Sequence, residues 1–206
     1  MQGLVADIVA YYRTMSSIEL TAVLLAIGYL IFAIRQNIWC WFCAAVSTAI
    51  YVYLFLRAKL YMESLLNVFY FGMAIYGWYV WRKGNVDDDL PVSVWSGKTH
   101  FRAIATIAVL SLVVGYLLAT NTDAAYPYVD SATTFAAIWA TFLVARKVLE
   151  NWWYWLVIDV VSVFIYWTRG LEATAVLFIL YVALIPIGLF AWTRSYREQQ
   201  APVAPA

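Results

Sequence analysis

Histidine occurs once in this chain of 206 residues and cysteine twice, too few ligands for a zinc or iron–sulfur site. With a single histidine there is also no paired base to activate a nucleophile, so neither an enzyme, a metal nor a cofactor is expected. Cys40 and Cys43 form a C-x-x-C, but they stand in an apolar helical run without a βαβ pattern and read as two small buried side chains. Charge is scarce as well: 12% of residues carry it and the net is +1, which gives no reason to expect nucleic acid. A glycine-rich phosphate loop is missing, so direct coupling to nucleotide hydrolysis has no support.

Apolar sequence is what remains. At 65% hydrophobic and a mean hydropathy of +0.77, the chain has too little polar surface for a soluble globule and reads as an integral membrane protein. Seven runs have the ~17–22 residues needed to cross a hydrocarbon core of ~30 Å. They lie near Ile18–Ile34, Ile38–Leu56, Leu60–Trp81, Phe101–Ala119, Ser131–Ala145, Trp152–Thr168 and Leu171–Trp192. None alternates like a barrel strand, so each is expected to be a helix with its backbone satisfied internally. Met1 to Ser17 carries Asp7, Arg13 and paired tyrosines and does not look like a cleavable signal.

The two ends of the chain resemble each other. Glu19 matches Asp130, Arg35 matches Arg146, Tyr70 matches Tyr181 and Trp81 matches Trp192, all 111 positions apart. A central motif repeats at offsets of 114 or 115: Asn37, Trp39, Trp41, Ser47 and Tyr51 against Asn151, Trp153, Trp155, Ser162 and Tyr166. The expected fold class is therefore an all-α integral membrane protein of seven transmembrane helices in a 3+1+3 parallel-repeat, SWEET-like arrangement. Its parts are an N-terminal segment (1–17), a first three-helix repeat (18–81), a polar loop (82–100), a linker helix (101–119), a second three-helix repeat (130–192) and a tail (193–206). The loop holds Asp87, Asp88, Asp89 and the lone His100, read as inert, and the tail from Glu198 is expected to be disordered.

Arg13, Arg57, Lys59 and Arg169 lie on the N-terminal side of the bilayer and the other nine basic residues on the opposite side. That imbalance puts the N-terminus outside and the C-terminus in the cytoplasm.

Polar groups at membrane depth cost about 2.5–3.5 kcal/mol each on insertion scales, and so mark cavities or partners. Trp152, Trp155, Asp159, Ser162 and Tyr166 are spaced by three, four, three and four, which stacks them on one face of the sixth helix. Glu63, Asn67, Tyr70 and Trp81 form a second face on the third helix, and Trp41, Thr48, Tyr51 and Phe55 one on the second. Each candidate also has a plainer reading. Trp41, Trp152 and Trp155 serve equally as packing, Asn151 as a helix cap, Asp159 as a tie within the bundle and Glu63 as a solvated mouth residue. Trp39, Trp78, Tyr79, Trp81, Trp95, Trp153, Trp167 and Trp192 read as interfacial belts. A retinal-type receptor is disfavoured, because the last helix has no lysine for a Schiff base.

The run from Leu60-Tyr61 through Leu65, Leu66 and Tyr70 to Ile75-Tyr76-Gly77-Trp78-Tyr79 and Trp81 resembles the Pnu family of bacterial vitamin transporters. Glu150-Asn151-Trp152, Trp155, Asp159, Val161-Ser162 and Tyr166 resemble that family's sixth-helix signature, and the likeness extends from about Glu19 to Trp192. It implies uptake across a bacterial inner membrane by facilitated diffusion, with trapping through phosphorylation by a cytosolic vitamin kinase. The family's binding region falls on Trp41, Asn67, Asn151, Trp152, Trp155, Asp159 and Tyr166, to which the helix-three face adds Glu63 and Tyr70. The founding branch takes up nicotinamide riboside and commonly has Gln where this chain has Asn67, without an acid at Glu63. That departure favours thiamine as the expected substrate, with nicotinamide riboside second and riboflavin third. The expected mechanism is rocking of the two triplets about the linker helix. The expected partners are the vitamin, the bilayer and the kinase; the sequence sets no copy number, so an oligomer is open.

Overall fold

A computed structural model describes residues 16–57, 61–83, 90–170 and 172–201. Its described residues form seven helices: α1 (Ser17–Ile34), α2 (Trp39–Arg57), α3 (Tyr61–Arg82), α4 (Gly97–Asn121), α5 (Pro127–Ala145), α6 (Asn151–Thr168) and α7 (Glu172–Gln200). By length and composition α1, α2, α4, α5 and the stretch Thr174–Gln200 of α7 can each cross a membrane. Helices α3 and α6 fall outside that set, and they are the two that carry Asn67 and Asp159.

Three boundaries differ from the sequence expectation by four residues or more; the first is α5, which starts at Pro127 and not at Ser131. Helix α4 starts at Gly97 and takes in His100, because the Ser96 hydroxyl accepts from the Thr99 amide at 3.4 Å and caps the helix inside what reads as loop. Helix α7 runs on through Gln200 instead of fraying at Glu198, where an Arg194–Glu198 pair at 2.7 Å joins adjacent turns. Residues 1–15 and the acidic run 87–89 lie outside the described residues.

The chain divides into two compact units. The first holds α1, α2 and α3 together with Ala145–Lys147 and the part of α7 from Ile187. Within it α2 packs against both α1 and α3. The buried Ser47 hydroxyl donates to the Ala22 carbonyl at 2.8 Å, tying α2 to α1, and the Ser64 hydroxyl donates to Val52 at 3.3 Å, tying α3 to α2. The second unit comprises Ser93–Val144 and Val148–Pro186, which is α4, most of α5, α6 and the first half of α7. In it Ala137, Ala140 and Ile158 form a buried cluster between α5 and α6.

The same helix ending occurs twice. Helices α1 and α5 stop at Ile34 and Ala145, and two residues later Gln36 (φ 54°) and Lys147 (φ 49°) adopt the left-handed conformation. The next amides close the cap: Asn37 donates to Phe32 and Val148 to Leu143, both at 2.9 Å. Every position in this pair is 111 residues from its mate. Two matched tryptophans complete it. The Trp81 indole N–H donates to the Ala145 carbonyl at 3.1 Å, and that of Trp192 to the Ala33 carbonyl at 3.0 Å, with ring centroids 6.5 Å apart. Lys147, 3% exposed, sets its ammonium 4.6 Å from the Trp81 ring centre. These two tryptophans are thus not belt residues: they are 5% and 0% exposed and act as donors to helix ends. Trp39, Tyr79, Trp153 and Trp167, by contrast, are about half exposed.

Removing either donor leaves the helix end short of a bond and the core short of volume. Trp81→Phe and Trp192→Phe are each expected to cost about 1–3 kcal/mol, read as a lower midpoint in thermal unfolding of the detergent-solubilised protein. Trp153→Phe, on the exposed side of α6, should stay within roughly 0.5 kcal/mol of wild type.

Candidate functional site

Helix α6 sorts its residues by face. Asn151, Trp152, Ile158, Asp159, Ser162 and Ile165 are buried, whereas Trp153, Val157, Val160, Phe164 and Trp167 are exposed. Asp159 is the ninth of the helix's eighteen residues, so its carboxylate sits about 12 Å along the axis from the start. It is 5% exposed, and among the described residues it has neither an ion pair nor a hydrogen bond. One turn earlier Trp155 is half-buried against the α5 cluster, and two turns earlier Trp152 is 2% exposed. Asn151, fully buried, does not cap α6: its side-chain amide donates to the Val148 carbonyl at 2.7 Å, and among the described residues its Oδ1 has no hydrogen-bond partner.

At the far end of the same face Tyr166 stacks on Phe178 of α7, with centroids 5.2 Å apart and planes at 26°. Phe178 in turn meets Tyr181 edge-on at 5.6 Å. Sequence reasoning passed over Phe178 and Tyr181 as site residues. The signal was present, since they stand 111 positions after Asn67 and Tyr70.

Trp41, Asn67 and Tyr70 belong to the first unit and Asn151, Trp152, Trp155, Asp159 and Tyr166 to the second. Trp41 is 1% exposed, tilted against Tyr29 at 6.0 Å and edge-on to Trp81 at 5.5 Å. Among the described residues its indole nitrogen has no hydrogen-bond partner. The ring lies flat on Gly77, where a Cβ would overlap it, so glycine is what lets the indole reach the α3 backbone. Asn67 and Tyr70 are half-buried on α3, and Phe69 lies 5.7 Å from Tyr70. The side chain of Glu63, in the first turn of α3, lies outside the described residues. An apolar groove of about 460 Å³ lined by Phe42, Val46, Ile50, Tyr53 and Phe71 contains none of the candidates, and its half-exposed Phe42 and Tyr53 mark it as a lipid-facing surface. Among the described residues no three His, Cys, Asp or Glu side chains gather as metal ligands.

A bundle of long apolar helices with a buried acid and stacked rings on one helix face is the anatomy of a multi-pass membrane carrier. Comparison with known proteins makes that specific. Residues 16–194 match the model of the nicotinamide mononucleotide transporter family, and the chain belongs to that family, the Pnu vitamin transporters. It is 25% identical over 185 residues to the nicotinamide riboside transporter PnuC of Escherichia coli strain K12, covering 77% of each chain. It is 27% identical over 135 residues to the riboflavin/roseoflavin transporter RibM of Streptomyces davaonensis, covering 64% of this chain and 63% of that one. Its fold is similar to the crystal structure of the vitamin B3 transporter PnuC, with a TM-score of 0.73 and 20% identity over 95% of this chain and 88% of that one.

The fit of Trp41 to Gly77 can be tested against Gly72, five residues earlier on the same helix. Gly77→Val is expected to destabilise the protein by about 1–3 kcal/mol through overpacking. Gly72→Val, at a position with nothing within 4 Å, should leave the unfolding midpoint near wild type.

Proposed function

We propose that this chain is an inner-membrane uptake carrier for a small, flat, cationic vitamin, nicotinamide riboside before thiamine. Asp159 carries the reading. An ionised carboxylate held away from water without a partner costs several kcal/mol, and the inner face of α6 offers it rings but no cation. A cationic aromatic ring stacking on Trp152, Trp155 or Tyr166 supplies the missing charge, with cation–π attraction reaching about 2 kcal/mol when desolvated. Asn151 Oδ1, without a partner, is an acceptor for an amide or hydroxyl of the same ligand. Trp41, Glu63, Asn67 and Tyr70 are the candidate vitamin contacts on α2 and α3.

Nicotinamide riboside ranks first because the PnuC relatives, which match over most of their length, are named for it. Thiamine keeps one argument, the short amide of Asn67, since the other rested on Glu63. Riboflavin, named for the Streptomyces relative, has an uncharged ring system and leaves Asp159 unmatched.

The helix caps and tryptophans that recur 111 residues apart support a 3+1+3 parallel repeat, and that symmetry suits alternating access. Transport is by facilitated diffusion, with a cytosolic kinase trapping the vitamin as its phosphate. The excess of basic residues on one side sets the C-terminus in the cytoplasm.

Calorimetric titration of the purified protein with nicotinamide riboside, thiamine and riboflavin tests the reading. Nicotinamide riboside should bind most tightly, and Asp159→Asn should weaken it about 10- to 100-fold, the worth of one charge-assisted interaction. An Asp159→Asn variant with wild-type affinity for both cations would remove the charge role. Trp152→Ala with unchanged affinity would remove stacking at that ring.

A further inference from the structure

We propose that the outward surface of α2 and α3 seats one anionic phospholipid, with an acyl chain in the apolar groove and the phosphate at Arg82 and Lys83. All the groups involved belong to the first unit, and the inference needs no vitamin. Helix α2 has two faces. Cys40, Trp41 and Ser47 are buried, whereas Trp39, Phe42, Val46, Ala49 and Tyr53, spaced by three, four, three and four, make a stripe on the other side. Trp39, Phe42 and Tyr53 of that stripe are about half exposed. On α3, Phe71, Ile75, Trp78 and Arg82, spaced by four, three and four, form a second stripe. The groove of about 460 Å³ takes its walls from both helices, Phe42, Val46, Ile50 and Tyr53 on α2 and Phe71 on α3, with Ile18 of α1. Ala45 and Ala49 keep its floor low, because a longer side chain at either would fill it. From Phe42 to Tyr53 is eleven positions, about 16 Å along the helix. That is close to the depth of one leaflet, half of a hydrocarbon core about 30 Å thick.

The end of the groove sets this surface apart from a plain lipid-facing wall. Trp39 meets Phe42 at 5.5 Å and Trp78 at 5.9 Å, edge-on in both cases, so the groove begins beneath a pair of indoles. Arg82 stands one turn beyond Trp78 on the same stripe, and the Lys83 ammonium lies 4.5 Å from the ring centre of Tyr79. Both cations are exposed, and among the described residues neither forms an ion pair. Two such charges next to interfacial indoles and an apolar slot fit an amphiphile with an anionic head and a hydrocarbon tail. In the proposed orientation this end lies in the cytoplasmic leaflet, whose surface potential is negative because anionic lipids gather there.

Native mass spectrometry of the full-length, delipidated protein tests the proposal, with dioleoylphosphatidylglycerol titrated against dioleoylphosphatidylcholine. One phosphatidylglycerol per chain should bind saturably and about 5- to 30-fold more tightly than phosphatidylcholine, roughly 5-fold for each cation. Arg82→Gln combined with Lys83→Gln should remove that preference. Ala49→Phe, which fills the floor, should weaken both lipids and keep it. Lys98→Gln combined with Arg102→Gln, which takes the same charge from the start of α4, should leave both affinities unchanged. If the Arg82 and Lys83 double variant does not fold, Lys83→Gln alone, just past the last residue of α3, is expected to lose about 5-fold. Graded, non-saturating uptake of both lipids alike would mean annular lipid only and overturns the proposal. So does a preference that survives loss of Arg82 and Lys83, an equal loss in the α4 pair, or full affinity in Ala49→Phe. Displacement of phosphatidylglycerol by equimolar glycerol phosphate would show a site for free phosphate and overturns it too.

Discussion

A helix that ends in apolar surroundings leaves carbonyls that water cannot reach, and each must find a donor inside the protein. Helices α1 and α5 meet this demand the same way. The chain turns through a left-handed residue, Gln36 or Lys147, the next amide reaches back, and an indole from far along the sequence reaches in. Non-glycine residues at positive φ are strained, so the bonds around them have to hold the turn in place. Helices α2 and α6 begin three and four residues after these turns. Within the first unit Trp41 of α2 lies against Gly77 of α3, and within the second Trp152 and Asp159 of α6 are buried.

Among the described residues five helices are apolar enough to span by length and composition; of the other two, α3 carries Asn67 in its second turn and α6 carries Asp159 at its centre. A buried carboxylate without a partner adds nothing to stability.

Periodicity in the sequence identifies the inner face of α6 without any structure, because a three-four spacing of Trp152, Trp155, Asp159, Ser162 and Tyr166 has one geometric meaning. The matched pairs at 111 positions were legible too. What they were for was not. Trp81 and Trp192 look like belt residues, since an indole near a helix end is equally suited to a lipid headgroup and to a carbonyl of another helix, and the choice is made by tertiary packing. His100 was misplaced for a related reason: Ser96 as a cap is a local signal, but the weight of polar residues around it suggests loop. Phe178 escaped because a phenylalanine in an apolar helix has no distinguishing neighbour, and its partner Tyr166 is distant in sequence.

The buried acid of α6 also bears on how the chain is made. A segment of eighteen residues with Asp159 at its centre and Asn151 at its head is a poor substrate for entry into lipid by itself, since the acid alone opposes partition by about 2.5–3.5 kcal/mol. The short turn after α5 keeps the two helices adjacent, and Trp155 packs on the alanines of α5. Helix α6 therefore has its first apolar neighbour in the helix just before it in the chain, so that pairing with α5 offsets part of what its acid costs on entering lipid.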